Sequence, residues 1–127
     1  MIQLKFKINP IAKGRPRIGN GRAYTPAKTR IFEHSIQTLA KHYMRLNGRL
    51  EPLRGPLEVL VAFHLKKPKS VRRELPEVKP DLDNLVKGLF DGCNGVLWID
   101  DAQICMMSVT KTYSPGEGYI DLIVKTV

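Results

Sequence analysis

The sequence predicts an α+β domain (α/β in the broad sense) built on a single mixed β-sheet of about four strands with two helices, in the order β-α-β-α-β-β. Three observations lead there. Two runs alternate apolar and polar residues with strand period, Ile2 to Ile8 and Leu57 to Leu65. Two other segments carry apolar residues at helical spacing between recognisable start and stop signals. Two extended segments close the chain, with Pro115-Gly116 between them. A chain of 127 residues suits one domain over its whole length.

The first strand follows from Ile2, Leu4, Phe6 and Ile8, which alternate with Gln3, Lys5, Lys7 and Asn9. Residues 9–25 carry Gly14, Pro16, Gly19 and Gly21, the punctuation of a loop. Thr25 then predicts a helix N-cap and Pro26 its first helical position. Phe32, Ile36, Leu39 or Ala40, Tyr43 and Leu46 supply the apolar stripe, and Asn47-Gly48 the stop. The second strand spans Leu57 to Leu65. Residues 66–80 are polar and basic with three prolines, hence a loop. Pro80-Asp81 opens a shorter helix with Leu82, Leu85, Val86 and Leu89 apolar, ending near Asp91-Gly92 or Gly95. Residues 102–113 and 118–127 are expected to pair as an antiparallel hairpin.

No apolar run approaches the roughly 18 residues of a membrane span. The alternating N-terminus lacks the continuous apolar core of a signal peptide, so no membrane association and a cytoplasmic location are expected. Cys93 and Cys105 have no metal-ligand spacing and are expected to be ordinary small apolar residues. The charge is uneven. Residues 1–50 hold eleven basic residues and one acid, Glu33, whereas residues 51–127 are nearly balanced. A basic half attracts polyanions, of which nucleic acid is the commonest.

The chemistry lies in the acids. In Asp81-Leu82-Asp83-Asn84-Leu85-Val86-Lys87, Asp81 is placed to cap the second helix and Asp83 to lie in its first turn. Lys87 stands one turn beyond Asp83 on the same face. Taken alone, that pattern needs no more than helix capping and a surface ion pair. A second acidic pair, Asp100-Asp101, follows the apolar Val96-Leu97-Trp98-Ile99. If that segment runs beside the helix start, Asp81, Asp83 and Asp101 converge, and their mutual repulsion calls for a cation. Oxygen-only ligation points to Mg²⁺ or Mn²⁺. Lys87 is then placed to stabilise charge on a phosphate or to orient a water. Asp91 is read as a partner of Lys87 or a surface acid.

Two basic segments supply a substrate surface. Lys13, Arg15, Arg17, Arg22, Lys28 and Arg30 fall in a stretch without acids, and Lys66, Lys67, Lys69, Arg72, Arg73 and Lys79 lead directly into Asp81. Of these, Lys13, Arg15, Arg17, Arg22, Lys69, Arg72, Arg73 and Lys79 are the candidate DNA contacts. Tyr24 is placed to stack on a base or sugar. His34, His42 and His64 take no catalytic role.

These residues resemble the RusA-type Holliday junction resolvases. The likeness rests on Asp81-Leu82-Asp83-Asn84-Leu85-x-Lys87, Phe90-Asp91, Asn94-Gly95-Val96 and Trp98-Ile99-Asp100-Asp101-Ala102-Gln103-Ile104. Gly14-Arg15-Pro16-Arg17 with Tyr24-Thr25-Pro26 is similar to the basic loop of many members, phage and prophage ones included. The resemblance implies a RusA-like fold and a homodimeric, Mg²⁺-dependent endonuclease. Its substrate is branched DNA, chiefly four-way junctions, cut in symmetrically related strands. By motif, Asp81, Asp83 and Asp101 match the metal-binding catalytic carboxylates and Lys87 the essential lysine. A non-catalytic basic nucleic-acid-binding module is the alternative, and the acids separate the two, since a pure binder gains nothing from carboxylates beside DNA.

Overall fold

The computed structural model describes residues 1–14, 17–24 and 26–127, with Arg17, Ala23 and Tyr24 described by their backbone alone. Ile2–Phe6 forms β1, and Arg17–Gly19 and Arg22–Tyr24 form a short antiparallel pair, β2 and β3. That pair corrects the expectation of an unbroken loop over residues 9–25. Asn20 and Gly21 both take positive φ, 52° and 74°, which is the two-residue turn matching the twist of a hairpin. The Asn-Gly dipeptide between Ile18 and Ala23 carried that signal in the sequence.

Ala27–Leu46 forms α1. Pro26 stands at its N-cap, one place before the first helical position expected for it, and Thr25 lies outside the described residues. The buried stripe is Thr29, Phe32, Ile36, Ala40 and Met44, so Met44 and Ala40 take the core places and Leu39 and Leu46 are exposed. Asn47 is the C-cap, with Gly48 at φ 66° closing the helix. Leu57–Lys66 forms β4 and Leu82–Cys93 forms α2. A 3-10 turn at Asp101–Gln103 leads into β5, Ile104–Ser114, and Tyr119–Thr126 forms β6.

Four strands make the mixed sheet in the order β1-β6-β4-β5, with β4 antiparallel to β6 and parallel to β5. The expected hairpin between the last two strands is therefore not formed, because β4 lies between them. The four residues 115–118 carry the chain across β4. That crossing spans two strand spacings, about 10 Å, and four extended residues reach about 13 Å. Burial agrees with this order: the central β4 alternates buried and half-buried positions from Leu57 to Leu65, whereas β5, at the edge, is exposed from Cys105 to Ser108.

One face of the sheet meets both helices in a single apolar core that includes Phe6, Phe32, Phe63, Leu89, Trp98 and Leu122. Among the described residues, no helix is long and apolar enough to cross a membrane. The helices touch through bare backbone. A Cβ on Gly92 would lie 2.7 Å from Ile36 side-chain atoms and 3.0 Å from the Glu33 carbonyl oxygen. A Gly→Ala change inside a helix ordinarily stabilises by about 1 kcal/mol. At Gly92 the sign is expected to reverse, with Gly92→Ala losing about 1–3 kcal/mol to overpacking. A lower urea midpoint with unchanged slope checks this, and a wild-type or higher midpoint contradicts the contact.

Candidate active site

Helical spacing puts Leu85 and Leu89 of α2 into the core and turns Asp83 and Lys87 outward, one turn apart. There they border a groove of about 590 Å³ between α2 and the edge strand β5. Val86, Phe90 and Met107 form its apolar wall, and Asp101 closes one side. The structure thus brings Asp83, Lys87 and Asp101 to one cavity. Asp81 stands at the N-cap of α2 but makes no capping hydrogen bond. It borders a neighbouring recess with Lys79 and Asn84. Lys87 does not pair with Asp83: its ammonium lies 3.3 Å from Asp91 Oδ1. Asp83 Oδ1 instead accepts the Asn84 N–H at 2.9 Å.

The turn that presents Asp101 is held from below. Buried Trp98 donates its indole N–H to Asn94 Oδ1 at 2.6 Å, which leaves the Asn94 amide nitrogen 3.4 Å from Asp101 Oδ2. Gln103 accepts the Ile99 and Asp100 N–H groups at 2.8 and 3.0 Å. Its own amide nitrogen donates to the Leu53 and Gly55 carbonyls, both at 3.0 Å. Asp100 accepts the Ala102 N–H at 3.0 Å, so its carboxylate caps the turn while Asp101 faces the groove. One residue on, β5 carries an irregularity. Ile104 lies opposite Leu57 and Met106 opposite Glu58, which makes Cys105 the extra residue of a bulge. Cys105 is exposed, as are Met106 and Met107 after it, whereas Cys93 is buried and its thiol is pushed far above the ordinary range by desolvation.

A divalent cation fits this donor chemistry. Mg²⁺ takes one or two carboxylates together with substrate phosphates and water, and Asp83 and Asp101 offer hard oxygen ligands on one groove. Among the described residues, no three His, Cys, Asp or Glu side chains are gathered closely enough to hold a metal by themselves.

The basic residues divide into two groups. Lys13 Nζ is held by Glu33 at 2.6 Å and Asp91 at 3.0 Å, so its charge is balanced within the fold. Burial works to lower its pKa, but hydrogen bonds to Glu33 and Asp91, with the attraction of both charges, outweigh burial and raise it. Arg22 is exposed on β3; Arg15 and the side chain of Arg17 lie outside the described residues. Lys69, Arg72, Arg73 and Lys79 sit on the segment between β4 and α2. Arg73 Nε donates to the Tyr113 hydroxyl at 3.0 Å, and Lys67 Nζ lies 5.4 Å from the centre of the Tyr113 ring. Arg73, Lys79 and Tyr113 line a cavity of about 220 Å³ that adjoins the Asp81 recess through Lys79 and Pro80.

Sequence reasoning missed Lys111. Its ammonium donates to the Val78 and Pro80 carbonyls, both at 2.8 Å, and so ties the basic segment to β5 just before Asp81. The signal was strand parity: Lys111 shares the inward face of β5 with Val109, where a lysine needs acceptors.

The profile of a family described as "Endodeoxyribonuclease RusA" matches residues 7–122. The chain is also similar to "Uncharacterized protein YqaN" of Bacillus subtilis (strain 168). The two are 32% identical over 143 residues, covering 98% of this chain and 96% of that protein.

The raised Lys13 pKa fixes a sign. The folded chain holds this proton more tightly than the unfolded one, so the stabilisation is complete below the ordinary lysine value of 10.5 and fades as pH rises through the higher folded value. Lys13→Met is expected to lose about 1–3 kcal/mol at neutral pH, less than for a fully buried pair because all three groups keep some solvent contact. In urea unfolding, the gap to wild type is expected to narrow at alkaline pH, and a constant gap there contradicts the linkage.

Proposed function

The chain belongs to the RusA endodeoxyribonuclease family, and from that premise we propose that it is a Mg²⁺-dependent homodimeric nuclease. Mn²⁺ is its expected substitute. It cuts branched DNA, chiefly four-way junctions, by paired and symmetric hydrolysis, as recombination and repair require. The observation that carries this reading is the groove itself, where Asp83, Asp101 and Lys87 meet beside a basic segment. Asp83 and Asp101, with Asp81 from the adjoining recess, are the residues that would hold the cation. When bound, the cation supplies charge neutralisation at the phosphate and eases loss of a proton from the attacking water. Lys87 extends into the groove and donates to the phosphate oxygens as negative charge builds on them. Water adds to phosphorus and one P–O bond breaks, leaving one phosphate end and one hydroxyl end.

The DNA path follows from charge. Lys69, Arg72, Arg73 and Lys79 bring a strand to Asp81, with Lys111 fixing the segment that carries them. Arg22, exposed on β3, is assigned to the same surface, and Arg15 and Arg17 are assigned to it by the family resemblance alone. Lys28 and Arg30 belong to it as well, since they occupy the first turn of α1, where the helix dipole disfavours cations and helix stability gives them no reason to be. The open edge of β5 supports the dimer. Met106 and Met107 are exposed there beside the groove, a surface that a second copy covers. Two-fold symmetry then matches the paired strands of a junction.

A labelled synthetic four-way junction, incubated with and without Mg²⁺, tests the reading directly. Paired cuts only with the cation are expected, and binding without cutting would leave a basic binding module instead. Asp81→Asn, Asp83→Asn and Asp101→Asn are each expected to abolish cutting while junction affinity holds or rises, because less negative charge faces the phosphates. Full activity in any of them removes that residue from the mechanism.

Affinity is expected to reside in the basic segments. Replacing Arg72 and Arg73 by Gln should weaken junction binding and flatten its log–log salt dependence by roughly 0.9 per lost phosphate contact. Titrations at several salt concentrations measure the slope, and an unchanged slope places the DNA elsewhere.

A further inference from the structure

Four side chains of alternating charge run from α1 to the groove. Glu33 meets Lys13 at 2.6 Å, Lys13 meets Asp91 Oδ2 at 3.0 Å, and Asp91 Oδ1 meets Lys87 at 3.3 Å. Asp91 gives one oxygen to each lysine. The Asp91 side chain is 19% exposed and that of Lys87 is 58% exposed, so the series is fixed inside the fold and opens at the groove. Its inner end is also set by main chain. The Lys13 N–H donates to the Asn84 carbonyl of α2 at 3.0 Å, and a Cβ on Gly88 would lie 3.1 Å from the Ile11 carbonyl oxygen.

Helix energetics do not account for Asp91. It lies in the last turn of α2, where the dipole opposes an acid. A lysine preceding its acid at i,i+4 is also the weaker order for such a pair. The favoured order, acid first, is offered by Asp83 and Lys87, yet Lys87 pairs with Asp91.

We propose that Asp91 is a positioning residue for Lys87, with Lys13 and Glu33 holding Asp91 in turn. Its action is double. It orients a long flexible ammonium toward the groove, and it draws that ammonium away from Asp83, whose carboxylate stays available to a cation. The inference rests on the nuclease reading of the groove.

Single-turnover cleavage of a four-way junction in Mg²⁺ tests it through a double-mutant cycle of Asp91→Asn and Lys87→Ala. Asp91→Asn is expected to slow cleavage about tenfold while junction affinity stays within about twofold of wild type. The double variant is expected to be no slower than Lys87→Ala alone, because Asp91 acts through the lysine. Losses that multiply would assign Asp91 to folding only and overturn the proposal, as would a wild-type rate in Asp91→Asn. Asp91→Glu keeps the charge both lysines need and serves if Asp91→Asn does not fold. Any rate it loses is expected to disappear in the Lys87→Ala background, and a loss that multiplies with that of Lys87→Ala overturns the proposal there too. A wild-type chain that cuts no DNA removes the nuclease reading and this inference together, whereas cutting with multiplying losses removes the inference alone.

Discussion

Where α1 and α2 meet, the space between them is filled by glycine backbone, with Gly92 against Ile36 and Gly88 against the strand of chain that carries Ile11 and Lys13. Such closeness leaves α2 little freedom to rotate or slide, since interiors are packed to the density of crystals. Leu85, Leu89 and Cys93 fix the buried face of the same helix. The outward face is then determined, and with it the direction of Asp83, Lys87 and Asp91. The short distance also lets a lysine from the N-terminal segment reach acids on both helices at once. Packing and charge placement are therefore one constraint here.

A chain with so many lysines and arginines would repel itself if all of them sat on one face. The fold divides them. Lys13 is balanced by two acids, and Lys111 is bound to two backbone carbonyls. Neither presents its charge freely to a ligand, and each holds one approach to α2. The segment between β4 and α2 keeps Lys69, Arg72, Arg73 and Lys79 for the surface. Its position depends on Lys111, because a proline-rich stretch forms few backbone hydrogen bonds of its own.

The acidic turn follows a similar logic with neutral groups. Trp98 is fully buried, and its single donor decides which way the Asn94 amide points. Gln103 uses its oxygen and its nitrogen twice each, joining residues 53–55 to 99–100. Asp100 is consumed by capping, and this frees Asp101 for the groove. Of two adjacent identical residues, one is structural and the other faces the cavity.

The sequence alone determined the two helices, the strands at both ends and in the middle, and the basic and acidic groups that give the chain its character. Those features are local, since periods of 2 and 3.6 and the chemistry of caps and turns are written within a few residues of one another. It also grouped Asp81, Asp83, Lys87 and Asp101, of which the structure brings Asp83, Lys87 and Asp101 to one groove and leaves Asp81 on a separate recess. Only the tertiary structure decided that β4 separates β5 from β6, because period 2 names a buried face and not a neighbour. The same holds for the partners of the lysines. Lys13 lies twenty residues from Glu33 in sequence, and Lys111 more than thirty from Val78 and Pro80, so no local pattern joins them. Charge can be counted along a chain, but whether a charge is free or already balanced depends on which distant groups the core brings within about 3 Å of it.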